Sequence, residues 1–182
     1  MKALFILLAC AVVLSSCHVS VKKTIGDADS AATKTYTVPD DSAITKAVQD
    51  AYTAISFKEG EQPRYNEIQN YFIPEAHFIN FRTDTAQIFT LPQFHDLFKQ
   101  FIESAHIHMF YEEEAFGRTE QFGRIAQRIS TYVTYINTRD KPAERGVNSF
   151  QLIKTPKGWR VTSIIWDVEK PTLKVPDYYL KK

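Results

Sequence analysis

One short segment of the chain carries residues that could hold a metal ion. His106, His108 and Glu112 lie two and four residues apart in sequence. On an extended strand alternate residues share a face, so the three side chains would point the same way. Two imidazoles and a carboxylate suit zinc, iron or manganese. The same residues also describe a polar sheet surface facing solvent or a second copy, since the opposite face is more apolar. We therefore predict no metal and no cofactor.

A second candidate is a carboxylate on that opposite, more apolar face. Glu113 has a methionine and a tyrosine as its neighbours there. Burial among apolar side chains raises the pKa of a carboxyl, which can then act as a general base or acid near neutral pH. Glu113 and His77 are accordingly the predicted catalytic residues. The alternative for Glu113 is an ion pair with Arg124 or Arg128 across a hairpin.

Other residues are candidates for binding a small ligand. Arg128 shares a strand face with Tyr132, and a guanidinium group can hold a carboxylate by two hydrogen bonds. The alternative for Arg128 is an ion pair with Glu112 or Glu114 on the neighbouring strand. Aromatic side chains wall most ligand cavities, although most aromatic residues are simply core. The predicted ligand-binding residues are Tyr52, Arg128, Tyr132 and Trp166.

The N-terminus has the features of an export signal. Lys2 precedes an apolar run over residues 3–14, and the sequence Leu14-Ser15-Ser16-Cys17 follows. The run is too short to span a bilayer comfortably and is typical of a secretory leader. Its end resembles the bacterial lipobox, which implies cleavage before an acylated Cys17. Two or more acyl chains would hold the protein stably on a membrane. A plain secretory signal or an uncleaved membrane helix are the alternatives.

These features predict residues 1–16 as a lipoprotein signal peptide and residues 17–39 as a lipidated cysteine with a flexible tether. The lipid bilayer would be a partner, and the location would be the bacterial cell envelope, at the outer membrane if the cell has one. Residues 40–169 would form one domain, followed by an irregular tail over residues 170–182.

Composition excludes several classes of function. The formal net charge is +1, of which Lys2 supplies one, and no basic stripe is present. A nucleic-acid binder would carry such a stripe. The two cysteines are Cys10, inside the leader, and Cys17. The folded part therefore lacks a free thiol for disulfides, catalysis or metal binding.

The hydrophobic pattern changes along the chain from helical to strand-like. A helix after Asp40 is predicted from Ile44, Val48 and Ala51 at helical spacing, and Leu91-Pro92 opens another. A short helix over about 64–72 lies between them, and residues 84–90 form a connection. Strands are predicted over residues 76–81, 106–116, 123–137, 146–155 and 159–168. The order indicates an α+β domain with helices on one face of a bent antiparallel sheet.

Three segments resemble one family. These are FGRIAQRISTY from Phe116, RGVNSFQLI from Arg145 and GWRVTSIIWDVE from Gly158. They resemble the nuclear-transport-factor-2-like superfamily, including its SnoaL-like members, over about residues 43–169. The resemblance implies a cone-shaped, cystatin-like α+β roll, in which three N-terminal helices pack on a strongly curved antiparallel sheet around a pocket. It also implies a homodimer formed through the outer sheet face.

The fold does not give the function. Our expectation is a membrane-anchored lipoprotein whose conical pocket binds a small apolar or weakly acidic molecule, with no assigned reaction. One alternative is a cofactor-free isomerase, dehydratase or cyclase that uses a pocket carboxylate or histidine as its base. Another is a non-catalytic protein-interaction module whose cone is filled by side chains.

Overall fold

Two α-helices and a 3-10 helix lie on the inner face of a six-stranded sheet. The computed structural model describes residues 36–180, so the predicted signal peptide, Cys17 and most of the predicted tether lie outside the described residues. In chain order the elements are α1 (Asp41–Ile55), a 3-10 helix (Tyr65–Asn70), β1 (Phe72–Asn80), β2 (Gln87–Thr90), α2 (Leu91–Ser104), β3 (Phe110–Phe122), β4 (Ile125–Ile136), β5 (Glu144–Thr155), β6 (Gly158–Val168) and a final 3-10 helix (Asp177–Tyr179). Across the described part of the chain, neither α-helix has the length and apolar character that crossing a bilayer requires.

The sheet has the strand order β2-β1-β6-β5-β4-β3. Strands joined by hairpins are antiparallel, but β1 and β6 run parallel. The sheet is therefore mixed, which corrects the expectation of a purely antiparallel one. The reason lies in the connection: a tight hairpin forces its strands to be antiparallel, whereas β1 meets β6 only after a long crossover through the rest of the domain.

Both long helices form for the reasons that the sequence indicated. The α1 positions Ile44, Val48 and Ala51 recur at helical spacing and are buried against the sheet. The start of α2 is fixed by a capping box between Thr90 and Gln93, with a proline in the first turn. A capping box satisfies backbone N–H groups that have no partner inside the helix.

Three predicted elements differ from the structure. The predicted second helix is only a short 3-10 helix, because β1 begins at Phe72 and extends past a proline to Asn80. The predicted connection before α2 contains β2, a short and mostly exposed edge strand. The strand predicted from His106 begins only at Phe110, because His106 adopts a left-handed turn conformation with φ of 50°.

One extra residue in β3 determines which of its side chains face inward. The register with β4 shifts directly after Glu114, as a β-bulge does. Phe110, Glu112 and Glu114 face the helices before the bulge, and Thr119 and Gln121 face them after it. The residues of β3 that face the helices are thus even-numbered before the bulge and odd-numbered after it.

The C-terminal segment lies on the outer face of the sheet. Thr131 in β4 donates a hydrogen bond of 2.6 Å from its Oγ1 to the carbonyl oxygen of Tyr179, and the Thr131 side chain is fully buried. Part of the outer sheet surface is therefore covered by the chain's own tail.

A buried ion pair closes the inner face beyond the bulge. The Arg128 guanidinium donates to both carboxylate oxygens of Glu114, over 2.6 and 2.8 Å. Only 6% and 7% of the two side chains are exposed. Arg128 Nη1 also donates to the Thr119 hydroxyl. Removing one member of such a pair leaves a buried charge without its partner.

We expect Glu114→Ala to lower the free energy of unfolding by about 3 kcal/mol, because the buried Arg128 charge keeps only the more distant Asp41 carboxylate, 3.7 Å away. Glu113→Ala is the matched control, since its carboxylate lies on the solvent side, 3.4 Å from Arg139 Nη2. An exposed pair contributes about 0–1 kcal/mol. Urea denaturation of both variants makes the comparison, and equal losses would contradict the assignment of faces on β3.

Candidate functional site

A cavity of about 460 Å³ lies between the helices and the inner face of the sheet. Its wall is mostly apolar, with side chains from both α-helices, the 3-10 helix and all six strands. The aromatic side chains in the wall are Tyr52, Phe72, Phe78, Phe89, Phe94, Phe98, Phe101, Phe110, Tyr132, Phe150 and Trp166. A volume of this size, with an apolar wall and a few polar groups, is typical of a small-molecule site.

The aromatic wall is closely packed. The rings of Phe78 and Phe94 stack with centroids 4.1 Å apart, and Phe94 meets Trp166 edge to face at 6.5 Å. On the far side, Phe98 and Phe110 meet edge to face at 5.3 Å. Such pairs stabilise each other by about 0.5–1.5 kcal/mol beyond their buried area. The wall is thus held in place by α2 together with β1, β3 and β6.

A hydrogen-bonded triad of side chains stands at the polar end of the cavity. Arg82 donates to both oxygens of Glu144, over 2.7 and 2.9 Å. The Tyr132 hydroxyl donates to the same carboxylate over 2.8 Å. Burial raises the pKa of Tyr132, and the charges of Glu144 and Glu112 raise it further. Tyr132 therefore stays protonated, and the Glu144 charge is balanced by Arg82.

Tyr132 can reach Glu144 only because its cross-strand partner is a glycine. Gly146 is paired with Tyr132 in the β4–β5 register. A Cβ atom at Gly146 would lie 2.7 Å from the Tyr132 hydroxyl and would also collide with the Asp167 carbonyl oxygen. The missing side chain leaves room for the tyrosine to cross β5.

Glu112 is the second carboxylate at this end, and its charge is less well balanced. The Thr134 hydroxyl donates to Glu112 Oε2 over 2.7 Å. Burial raises the pKa of Glu112 to about 7, against the lowering effect of this hydrogen bond, and the nearby Glu144 charge raises it further. The positive charge of Arg82 lowers the pKa of Glu112 only partly, because both Nη atoms of Arg82 bind Glu144. Glu112 can therefore exchange a proton near neutral pH.

Tyr52 borders the cavity, but its hydroxyl is used for structure. It lies 2.7 Å from Ser130 Oγ and accepts a 2.8 Å hydrogen bond from Asn148 Nδ2. Burial raises the pKa of Tyr52, so the hydroxyl stays neutral. The cluster joins α1 to β4 and β5 beneath the cavity.

The structure brings three of the four predicted ligand-binding residues together. Tyr52, Tyr132 and Trp166 all line the cavity, whereas Arg128 is engaged by Glu114 in the buried ion pair.

Both residues predicted as the catalytic base lie away from the cavity wall. Glu113 is on the solvent side of β3 beside Arg139, and His77 is an exposed residue of β1. The sequence left open which face of β3 packs on the helices, and the structure places Phe110 and Glu112 there rather than Glu113.

The histidine pattern does not form a common strand face. His106 precedes β3 in a left-handed turn, and the His108 ring lies 3.6 Å from Glu59. Glu112 points into the cavity, away from both. Among residues 36–180, no group of three or more His, Cys, Asp and Glu side chains is arranged to hold a metal ion.

The polar end of the cavity was not predicted from the sequence. Glu112 is there a candidate metal ligand and a candidate partner of Arg128, although its position two residues after Phe110, on the same strand face, is a usable signal that it points inward. Arg82 and Glu144 were not singled out, because they are 62 residues apart and no local pattern connects them.

The raised pKa of Glu112 predicts a pH-dependent stability. In the range from 4.5, its ordinary value, to about 7 the folded state holds a proton that the unfolded state has released. Stability therefore falls as pH rises through this range. Glu112→Gln should abolish this pH dependence. Between pH 4.5 and 8, the free energy of unfolding of the variant should rise relative to that of wild type by up to about 3 kcal/mol, as the size of the pKa shift implies.

Urea denaturation of both proteins at pH 5 and pH 8 measures this difference. Thr134→Val serves as a second variant, because loss of its hydrogen bond should move the pKa of Glu112 higher still. An unchanged difference between Glu112→Gln and wild type at the two pH values would refute a buried, proton-binding Glu112.

No protein-family model matches the chain, and no curated protein matches it. Solved structures do match. A protein of unknown function with a cystatin-like fold from Nostoc punctiforme has a TM-score of 0.59 and 12% identity, covering 75% of this chain and 96% of its own.

Two further solved structures match the chain. An NTF2-like protein of unknown function from Shewanella baltica has a TM-score of 0.52 and 16% identity, covering 74% of this chain and 99% of its own. An NTF2-like protein with a cystatin-like fold from Novosphingobium aromaticivorans has a TM-score of 0.56 and 10% identity, covering 79% of this chain and 90% of its own. Likeness at this level of identity concerns the fold alone. The chain has the cystatin-like fold of nuclear-transport-factor-2-like proteins.

Proposed function

We propose that the protein binds a small molecule, with an apolar body and one hydrogen-bonding end, in the cavity. The observation that carries this proposal is an aromatic-walled cavity of about 460 Å³ whose polar groups converge at one end. The aromatic wall would take the apolar body, and Glu112, Thr134 and Tyr132 would face its polar end. A cone filled by side chains, expected for a pure interaction module, is not what residues 36–180 form.

The charges at the polar end narrow the class of ligand. Arg82 is already held by Glu144 through two hydrogen bonds, so its charge is not free for a ligand carboxylate. An ionised Glu112 would repel an anion, whereas a protonated Glu112 can donate a hydrogen bond to a carbonyl or hydroxyl oxygen. A neutral polar end is therefore favoured, and a weakly acidic ligand would bind in its protonated form.

The proposal also includes anchoring at the cell envelope. The leader and the sequence Leu14-Ser15-Ser16-Cys17 support acylation of Cys17, with the bilayer as partner. Homodimerisation through the outer sheet face is a further part of the proposal. Any such dimer would have to accommodate the tail that covers Thr131.

An apolar fluorescent probe tests the binding proposal directly. We expect N-phenyl-1-naphthylamine, which is uncharged, to bind with a rise in fluorescence. Leu97→Asp should weaken binding by about tenfold or more, because it replaces an apolar cavity side chain with a charge. Leu97 is partly exposed, so the variant should still fold.

Ile88→Asp is the matched control, because Ile88 is exposed on β2 outside the cavity wall. It should bind the probe as wild type does. Equal weakening by both substitutions, or no fluorescence change with wild type, would count against a ligand site.

A second candidate function is proton-transfer catalysis without a cofactor, as in an isomerase, dehydratase or cyclase. The observation that favours it is Glu112, whose pKa is raised to about 7 in an apolar cavity. A general base is most effective when its pKa lies near the working pH. Glu112 would remove a proton from a carbon next to a carbonyl group, and Tyr132 lies at the same end of the cavity.

Hydrogen–deuterium exchange at the α-carbons of a small cyclic ketone in D₂O tests this candidate by NMR. Wild type should accelerate the exchange, and Glu112→Gln should reduce the acceleration by about 10²–10⁴-fold. Glu113→Gln, altered one residue away on the solvent side, is the control and should retain it. Equal rates with Glu112→Gln and wild type would leave the site a binding pocket only.

A further inference from the structure

Two asparagine residues, Asn80 in β1 and Asn148 in β5, line the cavity from the sheet. Only 4% and 2% of the two residues are exposed. Both are register partners of Trp166 in β6, so Asn80, Trp166 and Asn148 form one row across the sheet, the asparagine row. Asparagine is uncommon inside strands, and a buried amide is unfavourable unless its polar atoms are hydrogen-bonded. Two buried asparagines in one row of the cavity wall therefore need polar partners.

Each of the two amide groups is held by a hydrogen bond at one of its polar atoms. The backbone N–H of Arg82 donates to Asn80 Oδ1 over 3.1 Å. Asn148 Nδ2 donates to the Tyr52 hydroxyl over 2.8 Å. The oxygen of one amide and the nitrogen of the other are thus engaged. The two remaining atoms are opposite in kind, since Asn80 Nδ2 is a donor and Asn148 Oδ1 is an acceptor.

These two remaining atoms face the cavity. Among residues 36–180, neither Asn80 Nδ2 nor Asn148 Oδ1 has a hydrogen-bond partner, and neither atom is fully enclosed by protein. Because both residues are buried, the space that the two atoms reach is that of the cavity. A buried donor or acceptor without a partner costs free energy. A ligand removes this cost if it offers an acceptor to one atom and a donor to the other.

The asparagine row lies where the polar end of the cavity meets its apolar wall. The next inward pair on one side is Tyr132 with Gly146, and the inward row on the other side consists of Phe78, Ile164 and Phe150. One strand separates the two asparagines, so their Cα atoms are about 10 Å apart. Two hydrogen bonds of about 2.9 Å leave room between them for one planar polar group of a ligand.

We propose that Asn80 and Asn148 select a ligand whose polar group carries an acceptor and a donor side by side, as an amide or an undissociated carboxyl group does. This inference rests on the proposed ligand site and names the chemistry of the ligand's polar end. The carbonyl oxygen of the ligand accepts from Asn80 Nδ2, and its N–H or O–H donates to Asn148 Oδ1. A ketone satisfies Asn80 alone, and a carboxylate has no hydrogen to offer Asn148.

Three ligands of matched size test this selection. They are 2-naphthamide, which has an acceptor and a donor, 2-acetylnaphthalene, which has an acceptor only, and 2-isopropylnaphthalene, which has neither. All three have the same number of non-hydrogen atoms and the same aromatic body. Displacement of N-phenyl-1-naphthylamine gives the dissociation constant of each for wild type, Asn80→Leu and Asn148→Leu. Leucine keeps the approximate size of asparagine and removes both polar atoms.

The two variants should differ in which ligands they affect. Asn80→Leu should weaken 2-naphthamide and 2-acetylnaphthalene by about tenfold, because both lose the donor to their carbonyl oxygen. Asn148→Leu should weaken 2-naphthamide alone, by a similar factor. Neither variant should weaken 2-isopropylnaphthalene, which reports whether the cavity keeps its shape. Asn80→Ala and Asn148→Ala, which cannot overfill the wall, replace a leucine variant that fails to fold.

An equal effect of each variant on all three ligands, or no effect on any, would overturn the proposal. The asparagines would then be structural or satisfied by solvent, while binding of 2-isopropylnaphthalene would leave the ligand site itself intact. Failure of wild type to bind any of the three would instead refute the proposed function, and the selection with it. The hydrocarbon thus separates the failure of this inference from the failure of the site.

Discussion

The pleat of β3 determines the chemistry of the domain. Three successive glutamates, Glu112, Glu113 and Glu114, occupy a strand that covers both the helices and the cavity. Because side chains on a strand alternate, Glu112 and Glu114 share one face of the strand and Glu113 lies on the other. The contact between Phe110 and Phe98 places the even-numbered residues inside. The bulge after Glu114 then shifts the inward set by one residue.

The two inward carboxylates have different surroundings, and hence different roles. Arg128 donates two hydrogen bonds to Glu114, and both side chains are almost fully shielded from water. That ion pair therefore has a structural role. Glu112 receives one hydrogen bond from Thr134, while the Arg82 guanidinium group is held by Glu144. The protein thus keeps one proton-binding carboxyl at the end of an aromatic cavity. A binding pocket and a proton-transfer site both follow from this arrangement.

The sequence was sufficient to predict elements whose cause is local. Helix α1 follows from apolar residues at helical spacing, and α2 from Leu91-Pro92 at its start. The hairpins that join β4 to β5 and β5 to β6 follow from alternating apolar and polar residues and from turns such as the one at Gly158. The motifs that resemble nuclear-transport-factor-2-like proteins extended this to the whole fold. Tyr52, Tyr132 and Trp166 were placed at the cavity because aromatic residues on inward faces line such folds.

What could not be predicted depends on contacts distant in sequence. The inward face of β3 cannot be read from a count of apolar residues, because Tyr111 on the more apolar face lies on the solvent side, stacked under Arg139. The parallel pairing of β1 with β6 and the Arg82–Glu144 contact join residues that no local pattern connects. The bulge in β3 is recognisable only from its partner strand.

The protonation of Glu112 in the folded protein is the most direct test of this account. Carbon-13 labelling of the glutamate side chains, with Glu112→Gln to assign the resonance, allows its carboxyl shift to be followed by NMR across the pH range. Burial in the cavity should raise the midpoint to about 7. A midpoint near the ordinary glutamate value of 4.5 would mean that water surrounds the carboxyl, and the proposed polar end of the site would be wrong.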